Sequence, residues 1–143
     1  MYELQNAKVA QMVAPQTVGT SAVSGYVDTL GYDALTVMYI GAAVATGGVP
    51  GTLKLQEGDT TSAFTDISGT LGGTSFTIPT PNTSTGDNVL FHVNLANGRK
   101  RYINATVTGT ATTRTTNIQA VLTRAAVSPT SATLAGAGAA VYV

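Results

Sequence analysis

The sequence predicts an all-β fold: a two-sheet antiparallel sandwich of about eight strands, jelly-roll-like, with an immunoglobulin-like order fitting the strand count equally. Three observations predict it. Thr, Ser, Gly, Val and Ala dominate, only 10% of residues are charged, and good helix formers other than Ala are scarce. Apolar residues recur with period two in several short runs. Gly, Pro and Asn interrupt those runs every ~8–12 residues. At 143 residues the chain forms one domain, able to bury roughly two thirds of its unfolded surface in a single core.

Residues 1–16 have a weak apolar pattern (Leu4, Val9, Met12, Val13) ended by Pro15, which reads as a first strand or an arm. Residues 17–128 make the sandwich. In the run 21–28, Ala22, Tyr26 and Val27 contribute to a strand, and Leu30-Gly31-Tyr32-Asp33 breaks it as a turn. Residues 34–44 follow, with Leu35, Val37 and Tyr39 on one face and Met38, Ile40 and Ala42 on the other. A strand apolar on both faces belongs in mid-sheet covered on both sides, or where one face meets another subunit. Gly47-Gly48-Val49-Pro50-Gly51 is a loop, and Leu53 and Leu55 then alternate with Thr52, Lys54 and Gln56. Short strands are expected at Phe64–Ile67 and at Phe76–Ile78, the second stopped by Pro79 and Pro81 before a polar loop that reaches Asp87.

In residues 88–107 the alternation is strongest: Val89, Phe91, Val93 and Leu95 against Leu90, His92, Asn94 and Ala96. Asn97-Gly98 interrupts, and the pattern resumes at Ile103, Ala105 and Val107. Asn-Gly suits a type I′ turn, so a long hairpin is expected here, with Phe91 and Val93 in mid-sandwich. Residues 108–116 are almost wholly Thr, Ala and Gly and are expected to be mobile or wound round a neighbour. Ile118, Ala120 and Leu122 form the last alternating strand. Residues 129–143 form an uncharged Ala/Gly tail that carries Leu134, Val141 and Tyr142. Such a segment cannot make a core of its own and is expected to be an arm that orders against a partner, with an eighth strand at 141–143 as the alternative.

The charge balance narrows the function. Seven basic and seven acidic side chains cancel, so no general field draws a polyanion, and neither nucleic acid nor membrane is expected as a partner. Zero cysteines exclude thiol nucleophiles and thiolate metal sites in this sequence. His92 is the single histidine and has no partner acid at a telling spacing, while Asp28, Asp33, Glu57, Asp59, Asp66 and Asp87 are scattered through turns without ligand logic. No catalytic residue, cofactor or metal is assigned, and an enzyme is not expected. Arg99, Lys100 and Arg101 are the densest charge, and with Leu134, Val141 and Tyr142 they are the candidate partner contacts. The start Met1-Tyr2-Glu3-Leu4-Gln5 lacks a basic region followed by an apolar core, which points to a protein made in the cytoplasm.

Three motifs in order carry a resemblance: Val27-Asp28-Thr29-Leu30-Gly31-Tyr32-Asp33-Ala34-Leu35-Thr36-Val37; Leu53-Lys54-Leu55-Gln56-Glu57-Gly58-Asp59 followed by Phe64-Thr65-Asp66-Ile67; and Arg101-Tyr102-Ile103-Asn104-Ala105. Residues 25–124 resemble small structural proteins of tailed bacteriophages, capsid decoration (cement) proteins and comparable virion components with a jelly-roll or similar sandwich. The resemblance implies a place on the capsid surface of the virion, the major capsid protein and further copies of the chain as partners, and a trimer ahead of a dimer. A head-fibre or tail-associated module is the nearest alternative. A carbohydrate-binding sandwich is the alternative of another class, for which Tyr26, Tyr32 and Tyr39 are the available aromatic rings in a chain without Trp.

Overall fold

The structure, a computed structural model, describes residues 6–43, 51–67, 76–77, 84–109 and 113–125. Nine strands run in the order β1 (Lys8–Val18), β2 (Val23–Asp28), β3 (Tyr32–Gly41), β4 (Thr52–Gly58), β5 (Thr65–Asp66), β6 (Phe76–Thr77), β7 (Asp87–Asn94), β8 (Tyr102–Thr108) and β9 (Arg114–Ala125), with no α-helix among the described residues. Sheet A has the order β1-β9-β3-β7, and sheet B has β2-β8-β4-β5 with β6 also on β4. All pairings are antiparallel.

The pairings nest. β4 pairs with β5 and β6, β3 with β7, β2 with β8 and β1 with β9, as though one long hairpin had been wound up from its tip. The β3–β9 and β4–β8 ladders then close the two sheets. This is the strand order of a jelly roll, so the all-β sandwich expected from the sequence is the fold, with the jelly-roll order in place of the immunoglobulin-like one.

Period-two alternation fills the core between the sheets. Leu35, Val37 and Tyr39 of β3 and Ile118, Ala120 and Leu122 of β9 face Leu53 and Leu55 of β4 and Ile103, Ala105 and Val107 of β8. Side chains fall in size across one row of sheet A, from Phe91 through Val37 to Ala120 and Ala10, so the bulk of the ring is offset by two methyl groups. β1 bulges at Met12 and passes so close to β2 that a Cβ on Gly25 would collide with the Met12 backbone. That glycine lets the two sheets meet along one side.

The expected hairpin over residues 88–107 is not formed. β7 pairs with β3 in sheet A, whereas β8 lies between β2 and β4 in sheet B. Gly98 has φ +71°, but Asn97 is not among the residues with positive φ, and a type I′ turn needs both. Residues 95–101 therefore cross the roughly 10 Å between packed sheets instead of reversing within one. Phe91 is buried as expected, on a strand at the edge of its sheet.

One further difference follows from a weak local signal. Residues 108–116 are expected to be mobile or wound round a neighbour, yet β9 begins at Arg114 and Thr116 is buried. Tyr26 contributes to a strand as expected, and does so from its outward face. Lys8–Val18 is a strand of sheet A, while residues 1–5, residues 44–50, Ile78 and the tail 129–143 lie outside the described residues.

Candidate functional site

Three surfaces and one buried cluster carry the polar and exposed apolar residues. The first surface is the end of the sandwich where β1 starts, β9 ends and residues 95–101 cross over. Each cation of the Arg99-Lys100-Arg101 run is paired within the chain: Arg99 with Glu57 at 3.4 Å, Lys100 with Asp59 at 3.6 Å, and Arg101 with Asp28 at 2.7 Å. Arg101 uses both Nε and Nη2 on the Asp28 carboxylate, the Thr29 hydroxyl donates to the Arg101 carbonyl at 2.7 Å, and Asp28 Oδ1 also accepts the Leu30 N–H. The triplet thus staples sheet B to the crossover. The other candidate contacts, Leu134, Val141 and Tyr142, lie outside the described residues.

Hydrogen bonds from Arg101 hold the Asp28 carboxyl below its ordinary value, against the opposing pull of burial. Asp66 is lowered too, first by Lys54 and then by the Gln56 amide. A carboxylate with a depressed folded pKa adds stability above its unfolded pKa of about 3.9 and loses it as pH falls through the folded value. In urea titrations the wild type is expected to exceed Asp28→Asn by up to about 1 kcal/mol at pH 7, the scale of an exposed pair, and the gap should close below about pH 4. A gap that stays constant down to about pH 2 would show that Asp28 acts by packing alone.

The second surface is the outward face of sheet A, where Met38 lies between Leu90 and Gln119, and Thr36 between His92 and Val121. Leu90 is 53% exposed and Ile40 is 37% exposed. His92, on the same face, sits 3.1 Å from the Thr36 hydroxyl through Nδ1. The inner face of β3 is packed in the chain's own core, and the outer one is open at Ile40.

The third surface is the outward face of sheet B. Tyr26, Asn104, Gln56 and Asp66 are successive partners across four strands. Asn104 Nδ2 donates to Gln56 Oε1 and to Thr106 Oγ1, both at 3.1 Å, and Gln56 Nε2 donates to Asp66 Oδ1 at 2.9 Å. Lys54 meets the same Asp66 oxygen at 2.6 Å. Beside this row the Tyr26 ring lies 6.1 Å from Phe64 and 5.9 Å from Tyr102, with the Arg101 guanidinium 5.0 Å from the Tyr102 centroid. Of the three tyrosines available to a sugar by sequence, Tyr39 is buried in the core, Tyr32 is half-buried and Tyr26 is 49% exposed.

At the opposite end an ion pair points into the sandwich. Asp87 of β7 and Arg114 of β9 meet at 3.0 Å, and Arg114 Nε donates to the Ala42 carbonyl at 2.8 Å. Gly41 makes room for the guanidinium, which a Cβ there would strike, and the Tyr39 ring lies 5.9 Å away. Burial raises the Tyr39 hydroxyl above its ordinary pKa, with Arg114 opposing. No group of three His, Asp or Glu side chains placed to hold a metal occurs among the described residues.

These features define a jelly-roll sandwich whose polar side chains mostly tie strands together and whose two outward faces differ in chemistry. No family model and no curated protein matches the chain. Among solved structures it is similar to a chain of the structure described as "Bacillus endospore appendages form a novel family of disulfide-linked pili", at 18% identity and a TM-score of 0.46, covering 82% of this chain and 88% of that one.

Proposed function

We propose that this protein is a structural subunit of a tailed-phage virion, a decoration protein that packs between capsomers on the head. The observation that carries the reading is the outward face of sheet A, where Leu90 and Ile40 stand exposed in a strand pair with no charged side chain on that face. A neutral, weakly charged chain has little electrostatic resistance to association, which favours a life packed against neighbours. The ordered motifs at 27–37, 53–67 and 101–105, similar to those of decoration proteins, add to it. In this reading sheet A faces the major capsid protein or further copies of the chain, with a trimer favoured.

Copy number in purified particles, read by quantitative mass spectrometry, tests the assignment. Wild-type protein is expected in hundreds of copies, and Leu90→Asp is expected to be missing from particles while its melting shifts by no more than about 0.5 kcal/mol, as for a surface change. A handful of copies would point instead to a head-fibre or tail module. Full incorporation of Leu90→Asp would remove sheet A from the contact.

A further inference from the structure

We propose that the outward face of sheet B is a binding site for a neutral, soluble oligosaccharide. A sugar ring is amphipathic in a particular way: one face is C–H and the rim is a belt of hydroxyls that both donate and accept. The surface that suits it has an exposed aromatic face beside fixed polar groups of both kinds, and few other ligands need that combination in one strand spacing. Here the half-exposed Tyr26 ring heads the row Asn104, Gln56, Asp66, with Phe64 and Tyr102 flanking it.

The polar groups are held before any ligand arrives. Asn104 fixes Gln56 and Gln56 fixes Asp66, so little side-chain freedom remains to be lost on binding. Capacity is nonetheless left over. The Gln56 amide and the Lys54 ammonium converge on Asp66 Oδ1, which leaves Oδ2 as an acceptor without a hydrogen bond among the described residues, and Lys54 uses a single N–H on that carboxylate. The row thus ends in an acceptor and a donor side by side.

Charge and ring geometry narrow the ligand. Lys54 is matched by Asp66 and Arg101 by Asp28, so the face offers no net charge to a sulfated or acidic glycan. Tyr26 and Phe64 are inclined by 33°, and Tyr26 and Tyr102 stand at 89°. Rings so turned do not make the flat platform that a crystalline polysaccharide surface requires, whereas a single twisted chain can follow them. The proposal is independent of what covers the outward face of sheet A.

The test is aromatic-ring NMR on the full chain, titrated with maltohexaose, cellohexaose, chitohexaose and a mannohexaose, and with a heparin hexasaccharide as the charged probe. At least one neutral probe is expected to shift the Tyr26 and Phe64 ring signals with a Kd of about 1 mM or tighter. Tyr26→Ala should weaken that probe at least about tenfold and Asp66→Asn by several-fold, while Tyr26→Phe, which keeps the ring, stays within about threefold. An unchanged far-ultraviolet spectrum and melting midpoint in each variant establish that the fold is retained. No shift with any neutral probe at about 10 mM, binding of heparin alone, or affinity unaltered in Tyr26→Ala would each overturn the proposal.

Discussion

Phe91→Ala is expected to lower stability by about 3–5 kcal/mol, among the largest effects of a core truncation. The ring is 2% exposed and lies beside Val37 in a row completed by Ala120 and Ala10. Its neighbours in that row are small and belong to continuous ladders, so they cannot swing in to fill the space, and a cavity remains. For a domain whose whole margin is about 5–15 kcal/mol, that loss is a large share of it. It should appear as a fall in melting temperature on the order of 10 °C. Leu90→Ala is the control, because its side chain points the other way and should change stability by less than about 0.5 kcal/mol. Equal melting of the two variants would mean that β7 sits one residue out of register.

Asp87→Ala comes next, at about 3 kcal/mol or more, because it strands the Arg114 guanidinium inside the sandwich. The two side chains are 11% and 10% exposed, and Arg114 Nη2 and Thr116 Oγ1 already make no hydrogen bond among the described residues. Truncating the carboxylate leaves an uncompensated charge in a largely buried site. The informative companion is Asp87→Leu with Arg114→Met. Replacing a buried pair by apolar groups of similar size is often neutral or stabilising, so the double variant should recover most of what the single change loses. Urea midpoints around the full cycle give the coupling directly, and strictly additive losses would show that the pair contributes nothing as a pair.

Where the sequence repeats every two residues, its reading and the structure agree: Leu53 and Leu55, Leu35, Val37 and Tyr39, and Ile118, Ala120 and Leu122 all lie in the core as their alternation indicates. The physical cause is local, since alternation alone decides which face a side chain takes. Sheet membership is not local. β7 and β8 alternate perfectly on either side of Asn97-Gly98, and nothing in residues 88–107 reveals that each finds a different partner far away in the chain. The start of β9 was hidden for another reason: Thr115 and Thr116 are polar but β-branched, and the backbone fit of Thr to a pleated strand outweighed its low hydropathy.

The candidate surfaces were legible to a similar degree. Arg99, Lys100 and Arg101 look like free charge in the sequence because Glu57, Asp59 and Asp28 come from distant segments. The resemblance motifs acquire a physical meaning once those pairs are seen. Asp28 and Thr29 bind Arg101, and Gln56 and Asp66 bind each other, so the motifs hold the ends and edge of sheet B. Tyr26, Phe64 and Tyr102 come together from three separate stretches, and the one hint was that Tyr26 falls on the opposite register from the buried Val27.

The nested pairing has a consequence in time. The contact nearest in sequence is the short β4–β5 hairpin, and each later ladder joins segments farther apart, until Lys8 meets Leu122. Loop-closure entropy therefore favours assembly from the tip outward, and the ladder that completes sheet A is the last to be rewarded. On the ribosome, β1 waits for its sheet A partner until β9 emerges, and until then β3 lacks the strand that separates it from β1. Half-made chains thus carry unpaired strand edges, and the nascent protein is most prone to pair with the wrong neighbour before β9 emerges.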